Sequence, residues 1–270
     1  MRVFVSRSVI RLLALALLAF AVARAEAAPR RVASLNLCTD ELLLLLAAPD
    51  QIVSVTHLAQ QEAETPLWHR ASLYARNDGS LVSVVGLRPD LVLTMGGGGG
   101  RDRLGIAARL GIPALDLPFA QSLGDVVQGI TRVAAALGRP EAGTALLNRL
   151  RAAIESAPPA RLDAIWLGGG GRTVAAGGLE AQWMALAGLR QRPLQGDRVS
   201  LETLLVRPPE ILLRSDYRQG EYSSSQRWLA HPLARALRAG RAVPTDGRLW
   251  TCMGPLLIDE IYRLRRELGR

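Results

Sequence analysis

Leu87-Arg-Pro-Asp-Leu-Val-Leu93 and Val206-Arg-Pro-Pro-Glu-Ile-Leu-Leu213 are two versions of one phrase, their opening prolines 119 positions apart. In each, a loosely periodic helix, Leu81 to Leu87 or Leu201 to Val206, runs into proline and a buried strand begins at once. Proline has no N–H and disfavours helical geometry in the residue before it, so it makes a sharp helix-to-strand boundary. One local design used twice predicts two similar α/β lobes with a groove between them, a favoured place for a small molecule.

Working outward, strands are expected at Arg31 to Leu35, Gln51 to Thr56, Leu91 to Met95 and Pro113 to Leu117 in the first half. In the second half they are expected at Ala164 to Leu167, Ile211 to Leu213 and Ala242 to Thr245. Thr39 and Asp40 are read as capping a helix that begins at Glu41. His57 to Ser80 reads as a long polar loop with a little helix. Long loops in compact lobes are often binding segments. Apolar residues spaced by three and four predict helices over Leu123 to Leu137 and Pro140 to Ser156, long enough to stiffen the hinge. Further helices are expected over Leu179 to Ala187, His231 to Ala239 and Leu256 to Leu268. The alternation of strand and helix specifies an α/β class with mostly parallel sheets in two lobes. The boundaries follow: 29–138 for the N-terminal lobe, 139–158 for the linker helix and 159–270 for the C-terminal lobe.

Residues 1–28 stand apart. Arg2 and Arg7 precede an apolar run from Leu12 to Ala23, followed by Ala23-Arg-Ala25 and Ala25-Glu-Ala27, the layout of a cleavable signal peptide. The run is short of the ~20 residues a membrane span needs. No cysteine follows the cleavage region, which argues against lipid attachment. The mature chain is therefore expected to be soluble and exported. The removed segment carries four arginines against one glutamate, so the formal charge falls from +9 to +6. The chain contains no lysine, so every positive side chain is a guanidinium, apart from any histidine that protonates. Guanidinium forks suit carboxylate and phosphate oxygens, although arginine replacing lysine on solvated faces gives the same composition. The arginines are scattered and the protein is exported, which excludes nucleic acid as a partner.

Both glycine runs, Gly96 to Gly100 before Arg101 and Gly168 to Gly171 before Arg172, follow a strand's carboxyl end, where open α/β sheets bind ligands. Glycine permits close backbone approach and the arginine adds charge. Neither run has the Gly-Lys-Ser/Thr ending of a phosphate loop. The three histidines, His57, His69 and His231, are too few and too dispersed for a metal centre. No serine sits in a G-x-S-x-G elbow, and Glu62 and Glu64 lie in polar loop sequence, so no nucleophile is placed for catalysis. Among the scarce aromatics, Trp68, Tyr74, Tyr217 and Trp250 fall at loop or strand-end positions from which they could stack on a flat ligand. Trp166 and Trp183 read as core, and Trp228 as packing its own helix. Cys38 and Cys252 form one bridge or stand as separate thiols; spacing does not decide.

Arg31-Val-Ala-Ser-Leu-Asn36, Leu87-Arg-Pro-Asp-Leu-Val-Leu93, Leu110-Gly-Ile-Pro113 and His231-Pro-Leu233, taken in order, resemble the class III periplasmic substrate-binding proteins of ABC importers for cobalamin, haem and ferric siderophores. The similarity runs from about Arg31 to Leu268. It implies two Rossmann-like lobes joined by a single long rigid helix, in a monomeric, non-enzymatic periplasmic binder that holds a cobalt- or iron-containing chelate between the lobes and presents it to an inner-membrane permease, with no cofactor or protein-held metal of its own. It places ligand contacts on loops carrying Asn36, Cys38, Thr39, His57, Asn77, Gly97, Gly98, Arg101, Gly169, Gly170, Arg172, Thr251 and Cys252, beside the aromatics Trp68, Tyr74, Tyr217 and Trp250. It also implies docking through one acidic residue per lobe: Glu202 fills that position in the second half, whereas Val82 stands there in the first. The two cysteines fall on groove-side loops, one per lobe, where they form a bridge pinning the lobes, stay as buried thiols, or act as soft ligands. Among chelates, cobalamin comes first. The competing readings are an exported two-lobed enzyme acting on a phosphate-bearing substrate, and a sensor subunit that binds without transporting.

Overall fold

A computed structural model describes residues 28–97, 103–217, 224–237 and 239–269. The expected signal segment, Gly98 and Arg101 lie outside these residues. The first half supplies strands β1 (Val32–Ser34), β2 (Ile52–Thr56), β3 (Ala75–Asn77), β4 (Leu91–Met95) and β5 (Ala114–Leu117). They form one parallel sheet in the order β3-β2-β1-β4-β5. Helices α1 (Leu37–Leu46), α2 (Trp68–Ala71), α3 (Val82–Val85) and α4 (Arg103–Arg109) connect them. The second half supplies β6 (Leu162–Leu167), β7 (Leu189–Gln191), β8 (Ile211–Asp216) and β9 (Arg241–Asp246), parallel in the order β7-β6-β8-β9. The two orders superpose if β6, β7, β8 and β9 take the places of β1, β2, β4 and β5. The second lobe is the first without its outer strand.

The repeated phrase does the same job in both lobes. In the first, Asp90 accepts hydrogen bonds from the backbone of Arg30 (2.8 Å) and Arg31 (2.9 Å), and the Arg31 guanidinium reaches back to the Leu87 carbonyl at 2.6 Å. In the second, Glu210 accepts from the Asp163 backbone at 2.7 Å, and Arg192 pairs with Asp163 while donating to the Arg207 carbonyl at 2.5 Å. Each acid after proline thus ties the start of β4 or β8 to its neighbour β1 or β6. Charge-assisted bonds to otherwise unpaired strand-end amides fix the register.

Helices α5 (Leu123–Ala136) and α6 (Pro140–Glu155) lead from one lobe to the other, and the second lobe adds α7 (Leu179–Leu186), α8 (Leu201–Val206), α9 (Ser224–Leu229) and α10 (Pro232–Arg235). Ser122 caps α5 by accepting from the Asp125 amide, and Pro140 opens α6, where its missing N–H costs nothing. After β9 come α11 (Leu249–Cys252) and α12 (Leu257–Leu268). The buried face of α12 carries Leu257, Ile258, Ile261 and Leu264. Its Arg265, 6% exposed, donates to the carbonyls of Leu186 (2.7 Å) and Ala153 (2.5 Å) and to Ser156 Oγ (2.9 Å). The unpaired carbonyls at the end of α6 are thereby anchored to the closing helix. One apolar core, including Leu43, Leu93, Ile130, Leu150, Trp183 and Ile261, runs continuously from the first lobe through the linker helices into the second. The lobes are two sheets on a shared spine rather than two free bodies.

Several expectations are corrected. Helix α1 begins at Leu37, and Asn36 is its cap, accepting from the Cys38 amide at 2.9 Å; Thr39 and Asp40 lie inside the helix and are fully buried. The region read as one long loop contains the edge strand β3, whose Ala75 and Arg76 are exposed and so show no alternation. Strand β7 is three residues long, too short for a period to register. The helix before the first proline phrase shrinks to Val82–Val85, and the helix expected over His231 to Ala239 is Pro232–Arg235.

Candidate functional site

In both sheets the strand order reverses beside the first strand, between β1 and β4 and again between β6 and β8. A parallel sheet opens a crevice at the carboxyl ends of such strands because the flanking connections leave to opposite faces. The first lobe brings the Asn36 and Gly96–Gly97 loops to its crevice. The second brings the turn at Gly169–Gly171 and the segment after Asp216.

The second lobe's crevice is a groove of about 200 Å³, with Trp166, Arg172, Tyr217, Trp250 and Thr251 on its walls. Two glycines make its shape possible. A Cβ on Gly168 would lie 2.8 Å from the Trp166 ring, and one on Gly247 would lie 2.5 Å from the Tyr217 amide nitrogen. Trp250 is the floor: it is 5% exposed, and its Nε1 donates to Thr245 Oγ1 at 2.9 Å. Trp166 packs edge-on against it, ring centroids 6.1 Å apart at 61°. That geometry is the favoured quadrupole arrangement. Trp166, expected in the core, is half-buried on the groove wall, and its buried Nε1 has no acceptor among the described residues. A buried donor left unpaired costs about 1–3 kcal/mol. Arg172 is exposed at the rim.

The first lobe closes over one flank. The segment after β2 sends the Glu62 carbonyl to Arg248 Nη1 (2.7 Å), and Tyr217 Oη donates to Glu64, which is 4% exposed. Cys38, in the first turn of α1, is joined by a disulfide to Cys252 at the end of α11, with Cα atoms 5.2 Å apart. The bridge spans both lobes, so of the three possibilities for the cysteines the covalent one holds. Arg248 is also held by Asp246 at 2.6 Å, an interaction that keeps its guanidinium above the ordinary range.

Behind the bridge, two consecutive carboxyls are buried without a cation. Burial pushes Asp40 up to about 7, against hydrogen bonds from the Thr56 amide (3.1 Å) and Thr56 Oγ1 (2.5 Å). Burial likewise lifts Glu41 to about 8, against one hydrogen bond from Thr65 Oγ1 at 3.0 Å. Desolvation of the charged form outweighs hydrogen bonding in both.

The structure therefore gathers Gly169, Arg172, Tyr217, Trp250 and Thr251 into one groove, and Cys38 and Cys252 into one bridge. Gly170, at φ +68°, gives its carbonyl to Arg198 Nη1 at 2.9 Å, while Gly97 is exposed and donates to Asp116 at 3.0 Å. Thr39 and Asn77 are structural: Thr39 is bonded to Ser34 Oγ and the Asn36 carbonyl, and Asn77 to the Ser34 carbonyl, Ser54 Oγ and the Gly79 amide. Buried at 0% and 3% exposure, neither reaches a ligand. Asn36 is occupied as a cap. Half-buried Tyr74 packs on the core, Trp68 stacks on His69, and half-buried His57 donates its amide to the Asn77 carbonyl. None of these three lines the groove. Among the described residues no group of three or more His, Cys, Asp or Glu could hold a bare metal ion. Sequence reasoning missed Trp166, Glu64 and Arg248; the first looked like a strand interior, and the others reveal themselves only when the lobes face each other.

Comparison with known proteins follows the same lines. The family model for periplasmic binding proteins matches residues 32–243. No curated protein matches in sequence. Among solved structures, a periplasmic haem-binding protein from Pseudomonas aeruginosa is 21% identical, with TM-score 0.64 over 88% of this chain and 92% of its own. The periplasmic vitamin B12-binding protein BtuF of Vibrio cholerae is 17% identical, with TM-score 0.59 over 89% and 97%. The siderophore-binding protein BauB, bound to ferric iron and two acinetobactin molecules, is 15% identical, with TM-score 0.63 over 89% and 93%.

Proposed function

Because the chain belongs to the periplasmic binding protein family, we propose that it is the exported solute-binding component of an ABC importer. It captures a metal chelate, cobalamin before ferric siderophore or haem, between its lobes and delivers it to an inner-membrane permease. The observation that carries this reading is the groove of Trp166, Tyr217 and Trp250 at the second lobe's strand-order reversal, flanked by the first lobe through the Tyr217–Glu64 contact. Aromatic walls suit the apolar face of a large conjugated ligand. Arg172 at the rim suits its polar edge. The unpaired Trp166 Nε1 supports a ligand acceptor at that wall. A site with aromatic walls and no cluster of metal ligands favours a metal already wrapped in its own chelator.

Delivery falls to exposed positions in the first turns of α8 and α3. Glu202 on α8 is exposed, and Val82 on α3 is 80% exposed at the equivalent place in the first lobe. Docking is therefore asymmetric: a carboxylate on one side and an apolar contact on the other.

Titration of the purified protein with cobalamin, haem and ferric siderophores, read by tryptophan fluorescence, tests the proposal. Trp166 and Trp250 are reporters within the groove, so saturable quenching by one chelate is expected. Unchanged fluorescence with all of them, together with no heat in calorimetry, overturns it.

A further inference from the structure

Where the lobes meet beside the disulfide lies a second, separate cavity of about 60 Å³. Its walls are mostly apolar: Leu42 on α1, Met95 and Leu117 at strand ends, Val126 and Gly129 on α5, and Pro255. Glu41 breaks that pattern. It is 3% exposed and lines the cavity, yet only one of its carboxyl oxygens has a partner among the described residues, Thr65 Oγ1 at 3.0 Å. The other oxygen is not sealed away as an orphan, so it is open to the cavity. Among the described residues no guanidinium pairs with this carboxyl, and burial pushes it up to about 8, which favours the protonated form at neutral pH. A protonated carboxyl offers one O–H donor and one carbonyl acceptor side by side.

The charged groups at the mouth have partners elsewhere. Arg132 donates to the Asp116 carbonyl at 2.9 Å, and Asp125 accepts from the Gln121 amide and Ser122 Oγ, both at 2.9 Å. What remains for a guest is a mostly apolar sleeve with the neutral Glu41 donor–acceptor pair inside it and the exposed Gln128 carboxamide on its lining.

We propose that this cavity is a side-arm subsite that takes a short apolar arm ending in a primary amide, its CONH₂ paired with the Glu41 carboxyl. The size agrees: 60 Å³ holds about four to six waters, enough for an amide on two or three carbons. A primary amide presents the complementary donor and acceptor with no charge to bury. A carboxylate arm would place a charge among Leu42, Leu117 and Val126, where the guanidinium on the lining, Arg132, is exposed and turned to the Asp116 carbonyl, a costly burial. The subsite rests on the proposed function only for the identity of what carries the arm. Given that function, it selects a chelate whose rim bears primary amides over one whose rim bears carboxylates.

The test uses isobutyramide and isobutyrate as probes, read by amide NMR shifts on the full mature protein at pH 7. Isobutyramide should produce saturable shifts around Glu41, Val126 and Gly129, and isobutyrate should bind roughly tenfold more weakly or worse. Gly129→Leu fills the mouth from a helix position where an added Cβ meets nothing within 4 Å, so it folds readily and should abolish isobutyramide binding. Equal binding of both probes, no shifts, or binding that survives Gly129→Leu overturns the subsite. If wild type and Gly129→Leu bind one amide-rimmed chelate equally, the subsite falls and the receptor function stands. If isobutyramide binds as described while no chelate does, the receptor function falls and the subsite stands.

Discussion

Replacing both members of the Cys38–Cys252 bridge by alanine is the perturbation whose cost follows most directly from the structure. The bridge closes a loop across 214 positions of sequence, almost the whole mature chain. In the chain-entropy description, closing a loop of that length removes about 18 cal/mol/K from the unfolded ensemble, or about 5 kcal/mol at 25 °C. That is a large share of the 5–15 kcal/mol typical of a folded domain. Among the described residues, direct ties across the groove include Tyr217 to Glu64 and Arg248 to the Glu62 carbonyl. Bonds of that kind contribute about 0.5–3 kcal/mol each. Urea denaturation of the oxidised wild type and the Cys38→Ala/Cys252→Ala variant, followed by tryptophan fluorescence and far-UV dichroism, measures the difference. The expected loss is 3–5 kcal/mol, roughly, with the helical signal retained in water because the shared core is built from buried apolar side chains and Cys252 only packs against its edge. A loss below about 1 kcal/mol would refute the argument that this bridge constrains the unfolded chain. So would alkylation of both cysteines in the untreated exported protein.

Two further outcomes follow from the buried acids and the docking face. Glu41 keeps its proton in the native state up to about pH 8 but loses it near 4.5 when unfolded, so between those values the native state binds more protons and stability falls as pH rises. Glu41→Gln, which retains an acceptor for Thr65, should be close to neutral near pH 4.5 and more stable than wild type by roughly 3 kcal/mol at pH 7; denaturation curves that stay parallel across that range would contradict this. Glu202→Ala should slow chelate uptake by permease vesicles while leaving chelate affinity unchanged, and a parallel drop in affinity would move Glu202 from docking to binding.

The fold was legible because its decisive signals are local. Pro89 and Pro208 mark two helix-to-strand boundaries, and the apolar runs Leu91 to Leu93 and Ile211 to Leu213 are buried on both faces of a parallel sheet. Strands β3 and β7 were not legible, since an exposed three-residue edge and a three-residue partner carry too few side chains for a period. The site was legible by loop rather than by residue. Gly168, Gly169, Arg172, Trp250 and Thr251 line the second lobe's groove and Cys252 the cavity beside the disulfide, because their segments follow strands that end at the crevice. Thr39, in the first turn of α1, and Asn77, at the end of β3, turn inward to the carbonyls of Asn36 and Ser34, a choice that depends on three-dimensional neighbours. Trp166 was misread for the converse reason. Alternation along β6 marks it as interior, yet Gly168 opens the space that turns its ring into a wall.

The central claim is that a metal chelate sits between the lobes against the aromatic groove. Anomalous diffraction from crystals soaked with cobalamin or a ferric siderophore locates the metal directly. The account predicts one metal peak in the crevice bounded by Trp166, Tyr217 and the end of β4. A peak elsewhere on the surface, or none from a chelate that binds in solution, would contradict it.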